Sequence, residues 1–270
     1  EELVERAPDA GFQAYLPGKT EQIAPLIDRV AAAGFKTLVI TVDTPSSANR
    51  ENNVRTGFST PLRPSVRLAW QGITHPRWLF GTFLKTLVRH GMPHFENSFA
   101  TRGAPIMSAN VMRDFSSRGH LHWDHVRAIR AQWKGPMVIK GILHPADAAL
   151  CREYGMDGVI VSNHGGRQLD GAVAPLRVLP QILDAFKDGP VMLDSGVRRG
   201  SDIVKAIALG ARCVFLGRPF NYAAAVGGPA GVDHAISLLE QEVSRNMAMM
   251  GVNTLKELTP EFLVHVGRKN

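Results

Sequence analysis

The sequence is poor in cysteine and contains no long apolar run. Its 270 residues include two cysteines, Cys151 and Cys213, each in apolar surroundings. This pattern predicts buried free thiols in a reducing compartment and excludes a disulfide scaffold. No uninterrupted apolar stretch reaches the roughly 20 residues that a membrane-spanning helix needs, so we expect no such helix.

Two further absences narrow the class of protein. No spacing of His, Cys, Asp or Glu matches a metal site, so we predict no metal. The chain opens with Glu1-Glu2-Leu3-Val4-Glu5-Arg6 instead of a basic and then apolar segment, so we expect no signal peptide and a cytoplasmic protein. Because Met does not come first, we expect a fragment or a processed chain.

Acidic residues are missing between Glu51 and Glu96, within a predicted insertion at about 52–115. Its middle, Arg67–Phe95, combines cations with aromatic and aliphatic residues, and we predict a short helix from Arg77 to Arg89. The cations and histidines are Arg55, Arg63, Arg67, Arg77, Lys85, Arg89, His75, His90 and His94. The mixture fits peripheral attachment to anionic lipid, or a loop that covers a site and binds anionic substrates. No recognised nucleic-acid module is present, so we predict no nucleic-acid partner.

Short apolar segments alternate with helical ones along most of the chain, which predicts a parallel sheet covered by helices. The predicted strands are Gly11–Leu16, Thr37–Val42, Pro136–Gly141, Gly158–Asn163, Pro190–Ser195 and Cys213–Arg218. The predicted helices are Thr20–Ala33, Pro145–Tyr154 and Ser201–Leu209, each followed by a glycine suited to a left-handed cap, Gly34, Gly155 and Gly210.

Polar residues gather at the carboxyl ends of these strands. They are Gln13, Tyr15, Thr41, Asp43, Lys140, Ser162, His164, Asp194 and Arg218. In a β/α barrel these ends converge on one mouth, whereas an open doubly wound sheet places its ligand groups at one switch point. No dinucleotide glycine fingerprint follows any strand, so we predict a single α/β domain over 1–270, a TIM (β/α)8 barrel with about six of its eight βα units.

The stretch Ser162-Asn163-His164-Gly165-Gly166-Arg167-Gln168-Leu169-Asp170 carries the most chemistry. His164 can gain a proton near neutral pH, and the planar guanidinium of Arg167 matches a carboxylate. The two glycines between them allow a tight turn and close approach of a ligand. This pattern indicates oxidation of a small carboxylate, or else a polar strand-to-helix turn with a capping role.

The same stretch resembles the signature of the FMN-dependent α-hydroxy acid dehydrogenase and oxidase family, which includes L-lactate dehydrogenases, glycolate oxidases and mandelate dehydrogenases. The resemblance runs from about Phe12 to Phe262 and is N-terminally incomplete, lacking the first two strand-helix units of the family's barrel. Supporting motifs are Thr41-Val42-Asp43-Thr44-Pro45, Lys140-Gly141, Asp194-Ser195-Gly196-Val197-Arg198-Arg199-Gly200 and Leu216-Gly217-Arg218.

The resemblance implies a role for each matching residue. His164 would take a proton while FMN takes the electrons, and Asp43 would orient the imidazole. Arg50 and Arg167 would bind the substrate carboxylate, with a hydrogen bond from Tyr15. The residues implied to hold the flavin ring, ribityl chain and phosphate are Gln13, Thr41, Lys140, Ser162, Asp194, Gly196, Arg198, Gly217 and Arg218.

The resemblance also bears on substrate, electron acceptor and assembly. A lactate-like or mandelate-like L-2-hydroxy acid is expected, since Ser47 leaves room where relatives vary. The segment Arg67–Phe95 resembles the membrane-binding region of quinone-linked members, which implies a dehydrogenase on the inner face of the bacterial membrane. Alternatives are a soluble oxidase using oxygen, another FMN barrel such as an isomerase, or an inactive fragment. A homotetramer is implied by resemblance.

Overall fold

The computed structural model describes residues 1–48, 50–57, 64–107 and 119–266. The chain forms two compact units, Glu1–Gly135 and Pro136–Asn270. Within the predicted insertion at about 52–115, positions 58–63, which include Arg63, and 108–115 lie outside the described residues.

The first unit contains two short parallel strands and the helices that follow them. Its elements are α1 (Glu2–Arg6), β1 (Phe12–Ala14), a 3-10 turn (Thr20–Gln22), α2 (Ile23–Ala32), β2 (Leu38–Thr41), α3 (Glu51–Thr56), α4 (Val66–Thr74), α5 (Pro76–Trp78), a π-helical segment (Leu79–Leu84), α6 (Lys85–His90) and α7 (Trp123–Gln132). Strand β1 pairs with β2 in the register Phe12↔Leu38. Helix α2 buries a stripe at helical spacing, Ile23, Leu26, Ile27 and Val30, and this stripe holds it in the core of the unit.

The described part of the second unit, up to residue 266, contains three parallel strands and four α-helices. They are β3 (Met137–Ile142), α8 (Pro145–Glu153), β4 (Gly158–Val161), α9 (Pro175–Ala185), β5 (Val191–Leu193), α10 (Gly200–Ala208) and α11 (Arg218–Met250). Strand β4 pairs with β3 on one side and β5 on the other, and all four of its residues are buried. Strands apolar along their whole length belong to sheets covered on both faces. Helix α11 is interrupted at Gly228, whose φ is +58°.

Five of the six predicted strands form, each within two residues of its expected ends. The sixth, Cys213–Arg218, was predicted too long, because Arg218 already belongs to α11. Only one parallel bridge, Leu193↔Val214, joins that segment to β5. The three predicted glycine caps are confirmed, since Gly34, Gly155 and Gly210 all have positive φ.

The two thiols have different surroundings. Cys151 is fully buried in α8, as predicted, whereas the prediction that Cys213 is buried was wrong. Cys213 lies on the short segment that meets β5 through a single bridge, which leaves its side chain exposed.

The basic aromatic segment is helical over nearly its whole described length. The predicted helix Arg77–Arg89 corresponds to the run from α5 through α6, and α4 precedes it without having been predicted. Ser65 caps α4 by accepting a hydrogen bond from the Leu68 amide at 3.2 Å. None of the residues of α4, α5, the π-helical segment or α6 is buried. Across the described ranges, no helix has the length and apolar character needed to cross a bilayer.

Candidate functional site

In the first unit, the predicted site residues follow the carboxyl ends of the two strands. Gln13 in β1 donates a hydrogen bond from Nε2 to Thr41 Oγ1 in β2, at 2.9 Å. Tyr15 and Asp43 come just after these strands and are both half-buried. Arg50 is exposed at the start of α3. The parallel pairing of β1 and β2 therefore brings Gln13 and Thr41 together, as the polar pattern predicts.

In the second unit, a buried lysine organises the ends of all three strands. Lys140 in β3 donates to Ser162 Oγ, just after β4, at 3.0 Å. Its Nζ also lies 3.1 Å from Asp194 Oδ2, just after β5. The two side chains are 10% and 19% exposed, so the charges are largely removed from water. A buried ammonium is costly without such partners, which explains why carboxylate and hydroxyl converge on it.

The loop that carries His164 is bonded to the same network through its backbone. The His164 amide donates to Ser162 Oγ at 3.0 Å, and the Gly165 amide donates to Ser195 Oγ at 2.9 Å. Ser195 in turn donates to Asp194 Oδ1 at 2.7 Å. The backbone at His164 and Gly165 is therefore anchored to side chains just after β4 and β5.

Two residues of this loop system have an unusual backbone. His164 has φ +56° and Ser195 has φ +79°, and they are the non-glycine residues with positive φ in the described ranges. Such conformations cost roughly 1–3 kcal/mol and persist where the surrounding structure enforces them, typically at functional sites. The Ser162 and Ser195 hydrogen bonds supply that enforcement here.

Arg218 ties the first turn of α11 to the His164 loop. Its Nη2 donates to the Gly165 carbonyl at 2.7 Å. A Cβ on Gly165 would lie 2.7 Å from this nitrogen, and Gly165 has φ +66°. The backbone conformation favours glycine at this position, and a side chain here would displace the guanidinium.

The remaining predicted residues lie on exposed turns of the second unit. Arg167 follows the 3-10 turn His164–Gly166. Gly196 has φ +78° and Arg198 comes just before α10, whereas Gly217 comes just before α11. Predicted anion-binding residues thus stand at two helix N-termini, where the helix dipole favours negative charge.

The sequence missed Ser195, which joins the His164 loop to Asp194. Its position next to Asp194, in the motif already singled out after β5, could have indicated this residue. No cluster of three or more His, Cys, Asp and Glu side chains suited to a metal occurs in the part of the chain that the structure describes. The donors gathered here suit an anionic or polar organic group instead, with one ammonium, several hydroxyls and guanidinium groups.

Comparisons with known proteins show the family of this chain. The profile of the family described as FMN-dependent dehydrogenase matches residues 1–265. An L-lactate dehydrogenase of Pectobacterium atrosepticum is 40% identical over 262 residues, which cover 96% of this chain and 66% of the relative. An (S)-mandelate dehydrogenase of Pseudomonas putida is 37% identical and covers 97% of this chain and 65% of its own length. The chain thus spans slightly less than two thirds of the curated relatives it matches.

Solved structures extend the likeness to the fold. The crystal structure of a monotopic membrane protein, (S)-mandelate dehydrogenase, superposes with a TM-score of 0.81 at 36% identity, covering 95% of this chain and 67% of that one. The matched family and these mandelate dehydrogenase structures are TIM barrels, which confirms the predicted α/β fold class.

Proposed function

Because this chain belongs to the FMN-dependent dehydrogenase family, we propose that it oxidises an L-2-hydroxy acid to the 2-oxo acid with FMN. The observation that carries the proposal is the network joining Lys140, Ser162 and Asp194 to the loop of His164. It ties the backbone of the histidine loop to the hydroxyl that also binds a buried ammonium, at the ends of three adjacent strands. The alternative of a simple capping turn does not explain a buried lysine or a histidine at positive φ.

The residues of the second unit fit a flavin by the chemistry of their donors. Lys140 supplies a buried positive charge, suited to a ring that becomes anionic on reduction. Ser162 supplies a hydroxyl beside it, and Asp194 is placed to accept from hydroxyl groups such as those of a ribityl chain. Arg198, Arg218 and the turns at Gly196 and Gly217 supply cations and amides for a phosphate.

The reaction removes two electrons and two protons from the alcohol carbon and its hydroxyl. When bound, FMN supplies the acceptor for both electrons and one proton. His164 takes the other proton as the general base. Arg167, three residues further on, binds the substrate carboxylate by a planar, permanently charged fork.

The first unit contributes the remaining roles that the family resemblance assigns. Asp43 would stabilise the imidazolium formed in the reaction, and Tyr15 and Arg50 would bind the substrate carboxylate. Gln13 and Thr41, already hydrogen-bonded to each other, would bind the flavin ring. The relatives named L-lactate and (S)-mandelate dehydrogenase support a small aliphatic or aromatic 2-hydroxy acid as substrate.

Anaerobic reduction of bound flavin tests the function. The chain reconstituted with FMN should lose its yellow colour on addition of L-lactate or (S)-mandelate. His164→Gln should still bind FMN and should not be bleached, whereas His234→Gln, an exposed histidine on α11, should behave like the unmodified chain. Bound flavin that neither acid bleaches would favour an isomerase, and failure to bind FMN would favour an inactive fragment.

We further propose that α4 through α6 attach the protein to anionic lipid at the cytoplasmic face of the membrane. This surface carries exposed apolar side chains among its cations, and Trp70 and Phe80 are 66% and 65% exposed. Trp78 is instead stacked on Phe83, with ring centroids 5.4 Å apart, and stabilises the segment itself. Apolar groups interleaved with arginine and lysine are typical of interfacial helices. The matched mandelate dehydrogenase, described as monotopic, supports the association, and a membrane quinone is then the expected electron acceptor.

Vesicle sedimentation tests this attachment. Trp70→Ser combined with Phe80→Ser should reduce binding to anionic vesicles at least several-fold. The control, Val226→Ser with Met249→Ser, removes two still more exposed apolar side chains from α11 and should leave binding unchanged. Equal binding by both double variants would refute the lipid-binding surface and favour a soluble oxidase that uses oxygen.

A further inference from the structure

The turn before α10 contains two adjacent arginines with different surroundings. Arg199 lies 2.6 Å from Glu242 of α11, measured between Nη2 and Oε1. Arg198 is exposed, and within the described ranges its guanidinium forms no ion pair. The family resemblance assigns the phosphate to Arg198 and gives Arg199 no role. The structure distinguishes them, because only one is already paired.

Two carboxylates occupy the amides at the N-terminus of α10. Asp202 Oδ2 accepts from the Arg198 amide at 3.0 Å and from the Arg199 amide at 3.2 Å. Glu242 Oε2 accepts from the Gly200 amide at 2.6 Å. These are the groups that would otherwise bind an anion at this helix end. A phosphate is therefore directed to side chains and to neighbouring turns, rather than to these three amides.

Glu242 is held in this position by close packing of α10 against α11. A Cβ on Gly200 would lie 2.5 Å from Glu242 Cβ and 2.6 Å from the Val243 amide nitrogen. The absence of a side chain at Gly200 therefore lets the carboxylate reach the helix end. The Gly200 amide, followed by the Arg199 guanidinium, lowers the pKa of Glu242 against the opposing effect of desolvation, so the carboxylate is charged at neutral pH.

We propose that Glu242 is a positioning residue for the cofactor phosphate: it holds Arg199 and the first turn of α10, so that Arg198 is the arginine that receives the phosphate. This inference rests on the proposed use of FMN. Pairing with Arg199 also neutralises the carboxylate, which would otherwise repel a phosphate bound nearby. Glu242 thus acts through Arg199 and the turn, without touching the cofactor.

Comparison of FMN with riboflavin isolates the phosphate, because riboflavin has the same ring and ribityl chain. Affinities of the full chain are measured by quenching of flavin fluorescence. Arg198→Met should weaken FMN binding about 10- to 100-fold, the range for a lost charge-assisted hydrogen bond, and should leave riboflavin binding unchanged. Glu242→Gln should weaken FMN binding about 3- to 10-fold, again without an effect on riboflavin. Glu240→Gln removes the same charge from an exposed position on α11 and should change neither affinity.

Several results would overturn the proposal. The first is an FMN affinity that is unchanged or increased in Glu242→Gln. The second is an equal loss of affinity for FMN and riboflavin in that variant, which indicates a merely structural role. If Glu242→Gln does not fold, Arg199→Met breaks the same ion pair and should give a similar loss, smaller than that of Arg198→Met. When Glu242→Gln and Arg199→Met are combined, their losses of FMN affinity should not add. Additive losses would contradict the coupling between the two residues.

Failure of the proposed function gives a different result. An unmodified chain that binds neither flavin, or both equally, refutes the use of FMN itself. An unmodified chain that prefers FMN, with Glu242→Gln indistinguishable from Glu240→Gln, refutes only the role of Glu242.

Discussion

Lys140 and Asp194 form an ion pair across the end of strand β4, with 3.1 Å between Nζ and Oδ2. The two residues come from β3 and from the end of β5, which pair with β4 and not with each other. Ser162, at the end of β4, accepts a hydrogen bond from the same ammonium. The pair thus locks three strand ends into one polar cluster beneath the His164 loop.

Removing the ammonium should destabilise this cluster. Lys140→Met leaves the largely buried Asp194 carboxylate with one side-chain donor among the described residues, the Ser195 hydroxyl at 2.7 Å. We expect a loss of about 2 kcal/mol in the free energy of unfolding, measured with urea. Lys205→Met, at an exposed position on α10, should change it by less than about 0.5 kcal/mol. Equal effects of the two substitutions would contradict the importance of the ion pair.

Gly165→Ala should lower the free energy of unfolding by more than the left-handed backbone conformation alone explains. Gly165 combines φ +66° with the close approach of Arg218, whereas Gly171 has φ +77° and no atom within 4 Å of an added Cβ. Gly171→Ala should therefore show only the backbone cost of about 1–2 kcal/mol. Gly165→Ala should exceed it by about 1 kcal/mol, because the Arg218 hydrogen bond is also lost. Chemical unfolding of both variants measures the difference, and equal losses would show that the guanidinium moves aside without cost.

The two cysteines should differ sharply in reactivity. Burial raises the pKa of Cys151 to about 12, whereas Cys213 is exposed. Since the thiolate is the reactive form, a thiol reagent at pH 8 should label one site in the folded chain and two after denaturation. Cys213→Ser should abolish the native labelling, and Cys151→Ser should leave it intact. Rapid labelling of Cys151 in the native chain would contradict its burial.

Stability should fall on mild acidification because of a histidine that caps α7. Desolvation, followed by the neighbouring His122 and His120, lowers the pKa of His125 below its ordinary 6.5. Its Nδ1 accepts from the His122 amide at 3.3 Å, and its Nε2 lies 3.1 Å from Thr20 Oγ1. Protonation removes the acceptor and places positive charge at a helix N-terminus.

The sign of this effect follows from the lowered pKa. The unfolded chain takes up the proton first, so the contribution of His125 is complete above about pH 6.5 and is lost as the pH falls through the folded-state value. Melting temperatures at pH 7.5 and 5.5 should therefore differ less in His125→Asn than in the unmodified chain. His234→Asn, on α11, serves as the control and should keep the full difference. The same pH dependence in all three chains would contradict the prediction.

Some of the candidate site could be predicted because its signals are local. Several site residues lie at or near the ends of short apolar runs, namely Gln13, Thr41, Ser162 and Asp194. A short apolar run between helical segments is enough to indicate a strand and its end. Helices α4, α7 and α9 were harder to predict. Helix α4 exposes its apolar residues, and α9 carries Pro180 within its span. Helix α4 therefore lacks the buried stripe that marks α2, whereas α9 buries Pro175, Leu179 and Ile182 at helical spacing despite its internal proline.

The amino-acid sequence by itself determined the order of strands and helices, the glycine caps and the set of polar residues at strand ends. These depend on neighbours within a few residues, through side-chain periodicity and the backbone freedom of glycine. The tertiary structure alone decided that Lys140 pairs with Asp194, that Ser195 holds the His164 loop, that Cys213 is exposed and that Glu242 pairs with Arg199 rather than leaving it free. Each of these depends on how residues distant in the chain share space, charge and hydrogen bonds, which no local pattern encodes.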